Sequence, residues 1–257
     1  MPTALAMKKA AAGHRPRPEA AGGFLSEIWW VAWRSLTKLT RSPMLLFFSL
    51  FMPLIWLALF SQTFGTVFAR GAGPPGAPVP DYDYVAVLLP AIAVMTAIQS
   101  ASQSGFSMVA DIETGFMDKF FVAPIRRGSV LIGKMLADGI RMACQAAIVL
   151  AIAALMTVVA GWRIPFATGV PGAALVVLLA TGFGLAFSGL SNTVALRTRN
   201  TEATMMVSFT LTFPLLFMST AMLPKGLLPQ WVQDFSAVNP VSYLADASRA
   251  LIIEGYD

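Results

Sequence analysis

Long apolar runs separated by short breaks of charge, glycine and proline dominate this chain. Five runs, at 44–69, 84–110, 134–160, 171–196 and 203–223, are each about 21–27 residues, long enough to cross a bilayer as a helix. Residues 24–41 instead mix Trp29, Trp30 and Trp33 with Arg34, Lys38 and Arg41, and Trp29, Trp33, Leu36 and Thr40 share one helical face. Trp favours the headgroup zone, so this stretch reads as an interfacial helix before the first span. Residues 224–257 are too polar and broken to span. Leu227, Leu228, Trp231, Val232 and Phe235 form one helical stripe there; Val241, Leu244, Ala247, Leu251 and Ile252 form another. Between them, Asn239 can cap and Pro240 can open the second helix. The pattern predicts an all-α membrane protein with five visible transmembrane helices, an N-terminal interfacial helix and external re-entrant or amphipathic helices. Residues 1–22 read as a disordered cytosolic tail, and 23–257 as one transmembrane domain.

Charge sharpens this picture. Only 12% of the residues are charged against 56% hydrophobic, about half the charge fraction of a soluble domain. The net charge of +5 could point to nucleic acid, but its placement does not. Lys8, Lys9, Arg15, Arg17, Arg34, Lys38 and Arg41 precede the first span, and Lys119, Arg126, Arg127, Arg197 and Arg199 fall in two further loops on the same side. Arg70 and Arg163 fall in the two loops on the other side. By the positive-inside bias the N-terminus is cytoplasmic, the protein is a multi-pass protein of the cell membrane, and residues 224–257 are external. Single Cys144 allows no intrachain disulfide and reads as packing; single His14, in the tail, excludes a histidine-rich metal site.

Polar side chains inside the runs narrow the candidates. The second run carries Gln99, Ser100, Ser102, Gln103, Ser104 and Ser107, with Gln99 and Gln103 on one face and Ser100, Ser104 and Ser107 on another. Groups so deep must face protein or a water-filled path. On the fifth, Met206, Phe209, Phe213 and Phe217 form a stripe, read either as a substrate-contacting surface or as ordinary packing or lipid contact. Gln99, Gln103, Ser107, Met206, Phe209, Phe213 and Phe217 are the candidate translocation path. Trp56, Phe60, Phe64 and Phe68 form a similar stripe on the first run, and Gly182, Gly184, Ser188 and Gly189 on the fourth permit close helix approach. Asp138 and Arg141, near the start of the third, read as an ion pair snorkelling to the headgroups.

Between the second and third runs lies one charged segment, residues 111–128, holding Glu113, Gly115, Asp118, Pro124, Arg126 and Arg127 with Phe116, Phe120 and Phe121. With Gly133-Lys134 beyond it, this segment resembles the loop between spans two and three of type-2 permeases of ABC transporters, in the drug-exporting branch that includes daunorubicin-resistance permeases. The stretch Leu228-Pro-Gln-Trp231, Val238-Asn239-Pro240-Val-Ser-Tyr243 and Asp246-Ala-Ser-Arg249-Ala250 is similar to that family's external segment after span five. The interfacial helix fits as well, so the resemblance covers 24–257. It implies a permease that dimerises with a like or unlike second permease and docks a cytosolic ATPase. Closure of the ATPases would push on Glu113, Gly115, Phe116, Asp118, Phe120, Phe121, Pro124, Arg126 and Arg127, charges for docking and aromatics for packing. Trp231, Asn239, Pro240, Tyr243 and Arg249 would belong to an external gate. The family plan has six spans, of which residues 1–257 hold five.

Two features separate this reading from its rivals. Residues 128–134 nearly spell a phosphate-binding loop, but Met135 stands where Ser or Thr must hold Mg²⁺, so the chain is expected to bind no cofactor, ATP and Mg²⁺ residing on the partner ATPase. Nor does any cluster of His, Asp or Cys point to an enzyme. The expected substrates are hydrophobic, drug-like or lipid-like small molecules. The alternatives are export of a lipid-linked polysaccharide by the same plan, or an ion-coupled secondary carrier; the carrier would need a mid-span carboxylate, which the run boundaries do not supply.

Overall fold

A computed structural model describes residues 23–40, 43–69, 83–115, 127–159, 163–222 and 228–253, together with 161 and 225. Its helices are α1 (Phe24–Thr40), α2 (Pro43–Ala69), α3 (Tyr84–Glu113), α4 (Arg127–Val159), α5 (Gly169–Thr198), α6 (Thr201–Phe217), α7 (Gln230–Ser236) and α8 (Pro240–Ile252). The 1–22 tail and the loop at 70–82 lie outside the described residues, as do Phe116, Asp118, Phe120, Phe121, Pro124 and Arg126. α2 to α5 are each long and apolar enough to cross a membrane, and α6 is a shorter apolar helix of 17 residues. The all-α membrane fold is thus the one the pattern of runs predicts. At the α5–α6 junction Arg199 takes a left-handed conformation (φ 49°), and the Asn200 side chain accepts from Ala203 N at 3.0 Å. That cap lets two residues reverse the chain.

α3 is the centre of the bundle, with α2, α4, α5, α6 and α8 packed around it. Its first half, from Tyr84 to Val94, is buried throughout and forms most of the hydrophobic core with Met142, Val149 and Ala153 of α4 and Val176, Ala180 and Phe187 of α5. Close approach to α5 depends on Gly105 of α3, which lies against Ser191, and on Gly184 of α5. A side chain at Gly184 would meet Met142 Sδ at 2.7 Å and Ala97 Cβ at 3.0 Å. Gly182 and Gly189, expected to share that role, face open space.

α1 lies along the start of α4 and buries Ile28, Val31 and Ala32. Gly133 admits it there, since a Cβ at that position would sit 2.8 Å from the Ile28 carbonyl. Ser129 Oγ donates to Glu27 Oε2 at 2.6 Å across the same seam. The Trp face is turned away from the bundle, with Trp29 and Trp33 stacked and Trp30 70% exposed, the arrangement an interfacial helix requires. Two sequence expectations need correction. α4 begins at Arg127 rather than Lys134, so 128–134 are helical and Lys134 is buried against Asp111. Cys144, read as packing, is exposed on the outer face of α4.

Replacing Gly184 by Val is expected to destabilise the protein by about 1–3 kcal/mol, the usual range for overpacking. Gly182→Val, in open space, should stay within about 0.5 kcal/mol. Thermal unfolding of the two variants in detergent checks the difference.

Candidate functional site

The two polar stripes of α3 point to different neighbours. Gln99, Ser102 and Gln103 face a cavity of about 450 Å³ between α2, α3 and α6. Met52 and Trp56 of α2 close one wall, and Phe209, Phe213 and Phe217 of α6 form another, joined by Thr212, Leu216 and Met222. The Phe213 and Phe217 rings stack at 5.1 Å. Among the described residues no charged side chain lines the cavity, and Gln103 Oε1 is buried there without a partner. Such a space offers aromatic surface on two walls and hydroxyl and amide groups on a third. It can hold a largely apolar molecule and orient it through a few hydrogen bonds.

Five of the seven predicted path residues therefore meet at one place: Gln99, Gln103, Phe209, Phe213 and Phe217. The other two do not. Met206 is exposed on the outside of α6, and the Ser107 hydroxyl donates to Ser104 O at 3.1 Å. Met52, Met95 and Phe106 also line the space, and nothing in their spacing distinguishes them from packing residues.

Ser100 and Ser104 turn the opposite way, into a buried polar cluster. Ser104 Oγ donates to Asp138 Oδ2, and Asn192 Nδ2 of α5 donates to Ser104 Oγ at 3.1 Å. Asp138 pairs with Arg141 at 3.2 Å, and Arg141 Nη2 donates to the Ser100 backbone carbonyl at 2.5 Å. Gln145 accepts from Ser100 Oγ and donates to Ser49 Oγ of α2 at 2.6 Å. The expectation that Asp138 and Arg141 snorkel outward is therefore wrong. They sit about a third of the way along α4 with under a tenth of each exposed, because α3 supplies, through Ser104 and the Ser100 carbonyl, partners that headgroups would otherwise provide. A carboxylate does lie within the bundle, contrary to the run boundaries, but Arg141 neutralises it. The signal was present as Asp138, Arg141 and Gln145 at helical spacing inside one apolar run.

Toward the charged segment, α3 ends at exposed Glu113, and Gly115 turns the chain at φ +64°. Lys134 Nζ approaches Asp111 Oδ2 at 3.5 Å just inside this end. Arg127 starts α4, while the rest of the segment lies outside the described residues.

The opposite end is built around Arg249. As predicted, two short helices flank Asn239-Pro240, and Asn239 Oδ1 caps α8 by accepting from Val241 N at 3.0 Å. Its amide also donates to the Leu215 and Met218 carbonyls at the end of α6, at 2.9 and 3.1 Å. Arg249 is fully buried. It donates to Val87 O of α3 at 3.0 Å, to Ala221 O, and to Asp246 Oδ1 at 3.0 Å. Thr220 Oγ1 donates to Asp246 at 3.0 Å. The C-terminus of α8 is held by Ala167 N and Thr168 Oγ1, which donate to Ile252 O and Leu251 O at 2.9 and 2.6 Å. Tyr243 bonds Ala237 O at 2.5 Å while its ring stays exposed, as does Trp231 on α7. Among the described residues, no group of three or more His, Cys, Asp or Glu is arranged to hold a metal ion.

A bundle of long apolar helices around a central one, with a largely apolar cavity along that helix and a helical cap at one end, is an architecture that suits a permease. The chain matches the ABC-2 type transporter family over residues 26–253 and belongs to that family. It is 29% identical over 243 residues to the daunorubicin resistance ABC transporter permease of Streptomyces coeruleorubidus, covering 94% of this chain and 79% of that protein. It is 29% identical over 168 residues to a Mycobacterium tuberculosis (strain CDC 1551 / Oshkosh) protein named "Probable doxorubicin resistance ABC transporter permease", covering 65% of this chain and 58% of the other. With an Escherichia coli (strain K12) protein named "Probable multidrug ABC transporter permease" it shares 25% over 176 residues, 68% of this chain and 46% of the other. These relatives are in the drug-exporting branch that the two sequence motifs resemble.

Removing the Arg249 side chain leaves the Val87 and Ala221 carbonyls without their charged donor. Arg249→Ala is expected to cost on the order of 3 kcal/mol, and Arg249→Lys to recover only part, since an ammonium cannot reproduce the planar fork. Thermal unfolding in detergent, with limited proteolysis at 225–240 as a local probe, checks both.

Proposed function

We propose that this chain is the membrane-spanning permease subunit of an ATP-driven exporter that carries hydrophobic, drug-like or lipid-like small molecules out of the cell. The single observation behind this reading is the cavity: apolar and aromatic on two walls, amide-bearing on the third, and uncharged among the described residues. An uncharged space of this kind suits molecules that partition into the bilayer and would leave the pyrophosphate of a lipid-linked sugar unpaired. The names of the three relatives point to the same class of cargo.

In this reading a separate cytosolic ATPase binds ATP and Mg²⁺, and a second permease, like or unlike, completes the path. The ATPase docks on the segment from Glu113 to Arg127. α3 links that segment directly to the cavity, since Gln103 lies about ten residues, or about 15 Å, from Glu113 on one helix. A push at the segment therefore moves the amide-bearing wall. The N-terminus is cytoplasmic, and α7 and α8, with Trp231, Asn239, Pro240, Tyr243 and Arg249, form the external gate.

Reconstitution of the chain with its partner ATPase tests the reading through substrate-stimulated ATP hydrolysis. Exposed contacts are individually worth about 0–1 kcal/mol, so Glu113→Ala and Arg126→Ala should each weaken stimulation slightly and the double variant markedly, with membrane insertion intact. Unchanged stimulation in the double variant would remove the segment from the mechanism. For topology, impermeant thiol labelling from outside, in a Cys144→Ser background, should modify Gly76→Cys and spare Asp118→Cys; the reverse pattern overturns the orientation.

A further inference from the structure

α3 and α4 pack together as two arms, and their ends at Glu113 and Arg127, where the chain enters and leaves the charged segment, are the tip of the pair. Polar contacts cross between the arms at successive heights. Nearest the tip is Asp111 with Lys134; next come Ser104 with Asp138 and the Ser100 carbonyl with Arg141; last is Ser100 Oγ with Gln145. On α3 the participants recur at 111, 104 and 100, and on α4 at 134, 138, 141 and 145, one helical face of each arm. Gln99 and Gln103 are the next residues along α3 from this ladder, turned to the cavity.

Stability does not account for a ladder of this composition. A buried ion pair offers little over apolar side chains of similar volume, because desolvation offsets the attraction. Arg141 also grips a backbone carbonyl rather than a side chain, which fixes the height of one helix against the other whatever residue stands at 100. We propose that Asp138 and Arg141 are positioning residues that make α3 and α4 a single stiff lever, so that displacement at the tip reaches the Gln99–Gln103 wall undiminished. The proposal rests on the permease reading for the source of the push, but the stiffness of the hairpin is a property of this chain alone.

The deciding variant replaces the pair by apolar side chains of similar volume, Asp138→Leu with Arg141→Met, in the full chain. The first arm places spin labels at Ala110→Cys and Leu131→Cys, both exposed, in a Cys144→Ser background. The unaltered ladder should give one narrow distance distribution, and the apolar pair a broad or shifted one, while the unfolding temperature holds or rises. The second arm reconstitutes chain and ATPase in liposomes and counts molecules of a lipophilic fluorescent dye moved per ATP hydrolysed. That ratio should fall by about tenfold, with hydrolysis itself retained. If the double variant fails to insert, Asp138→Asn, which keeps the shape and removes the charge, should broaden the distribution and lower the ratio in the same direction. An unbroadened distribution in an inserted variant overturns the lever, as does an unchanged dye-to-ATP ratio. Wild-type chain that moves no dye with its ATPase overturns the permease reading instead, and the spin-label arm still decides the hairpin.

Discussion

Burial of α3 on almost every side is the constraint from which the rest of the bundle follows. A membrane helix at the periphery can turn awkward groups toward a neighbour and its apolar face toward lipid. With α2, α4, α5, α6 and α8 around it, α3 has no such freedom. Each polar atom it carries must find a protein partner or a cavity, since an unsatisfied group away from water costs several kcal/mol. Its first half meets the condition by being apolar, and its second half by dividing Gln and Ser between two faces. One of those faces makes the cavity and the other the buried polar cluster. Site and scaffold are two sides of one helix.

The same constraint explains where the arginines sit. Arg141 and Arg249 reach α3 from different helices, one at its middle and one in its first turn, and each donates to a backbone carbonyl, Ser100 in one case and Val87 in the other. Each also has an aspartate three residues earlier on its own helix, Asp138 and Asp246. A guanidinium suits this arrangement because it can bond a carboxylate and a carbonyl at once and remains charged. The central helix is thereby tied to α4 through its middle and to the α7–α8 cap through its first turn.

Much of this was legible in the sequence. Apolar periodicity and turn chemistry gave the helices to within a few residues at most ends, because membrane helices must satisfy their own backbone and so are largely local in origin. Asn239-Pro240 marked the start of α8, and the Gln pair with the Phe stripe marked five residues of the cavity. Errors arose where the pattern gives no direction. Lys134 looked like the start of a span because a cation usually marks a boundary, yet Asp111 holds it inside the bundle. Asp138 and Arg141 looked like a snorkelling pair for the same reason.

Sequence alone determined the class of protein, the helices, the cap between α7 and α8, and the family, since these depend on composition, spacing and local motifs. Tertiary structure decided which helix is central, which glycine is a contact, and which polar residues face the cavity. Hydropathy records how apolar a segment is but not which neighbour lies against each face. For Gly184 and Gly182, or for Ser104 and Ser107, the residue type is the same and only the packing partner differs.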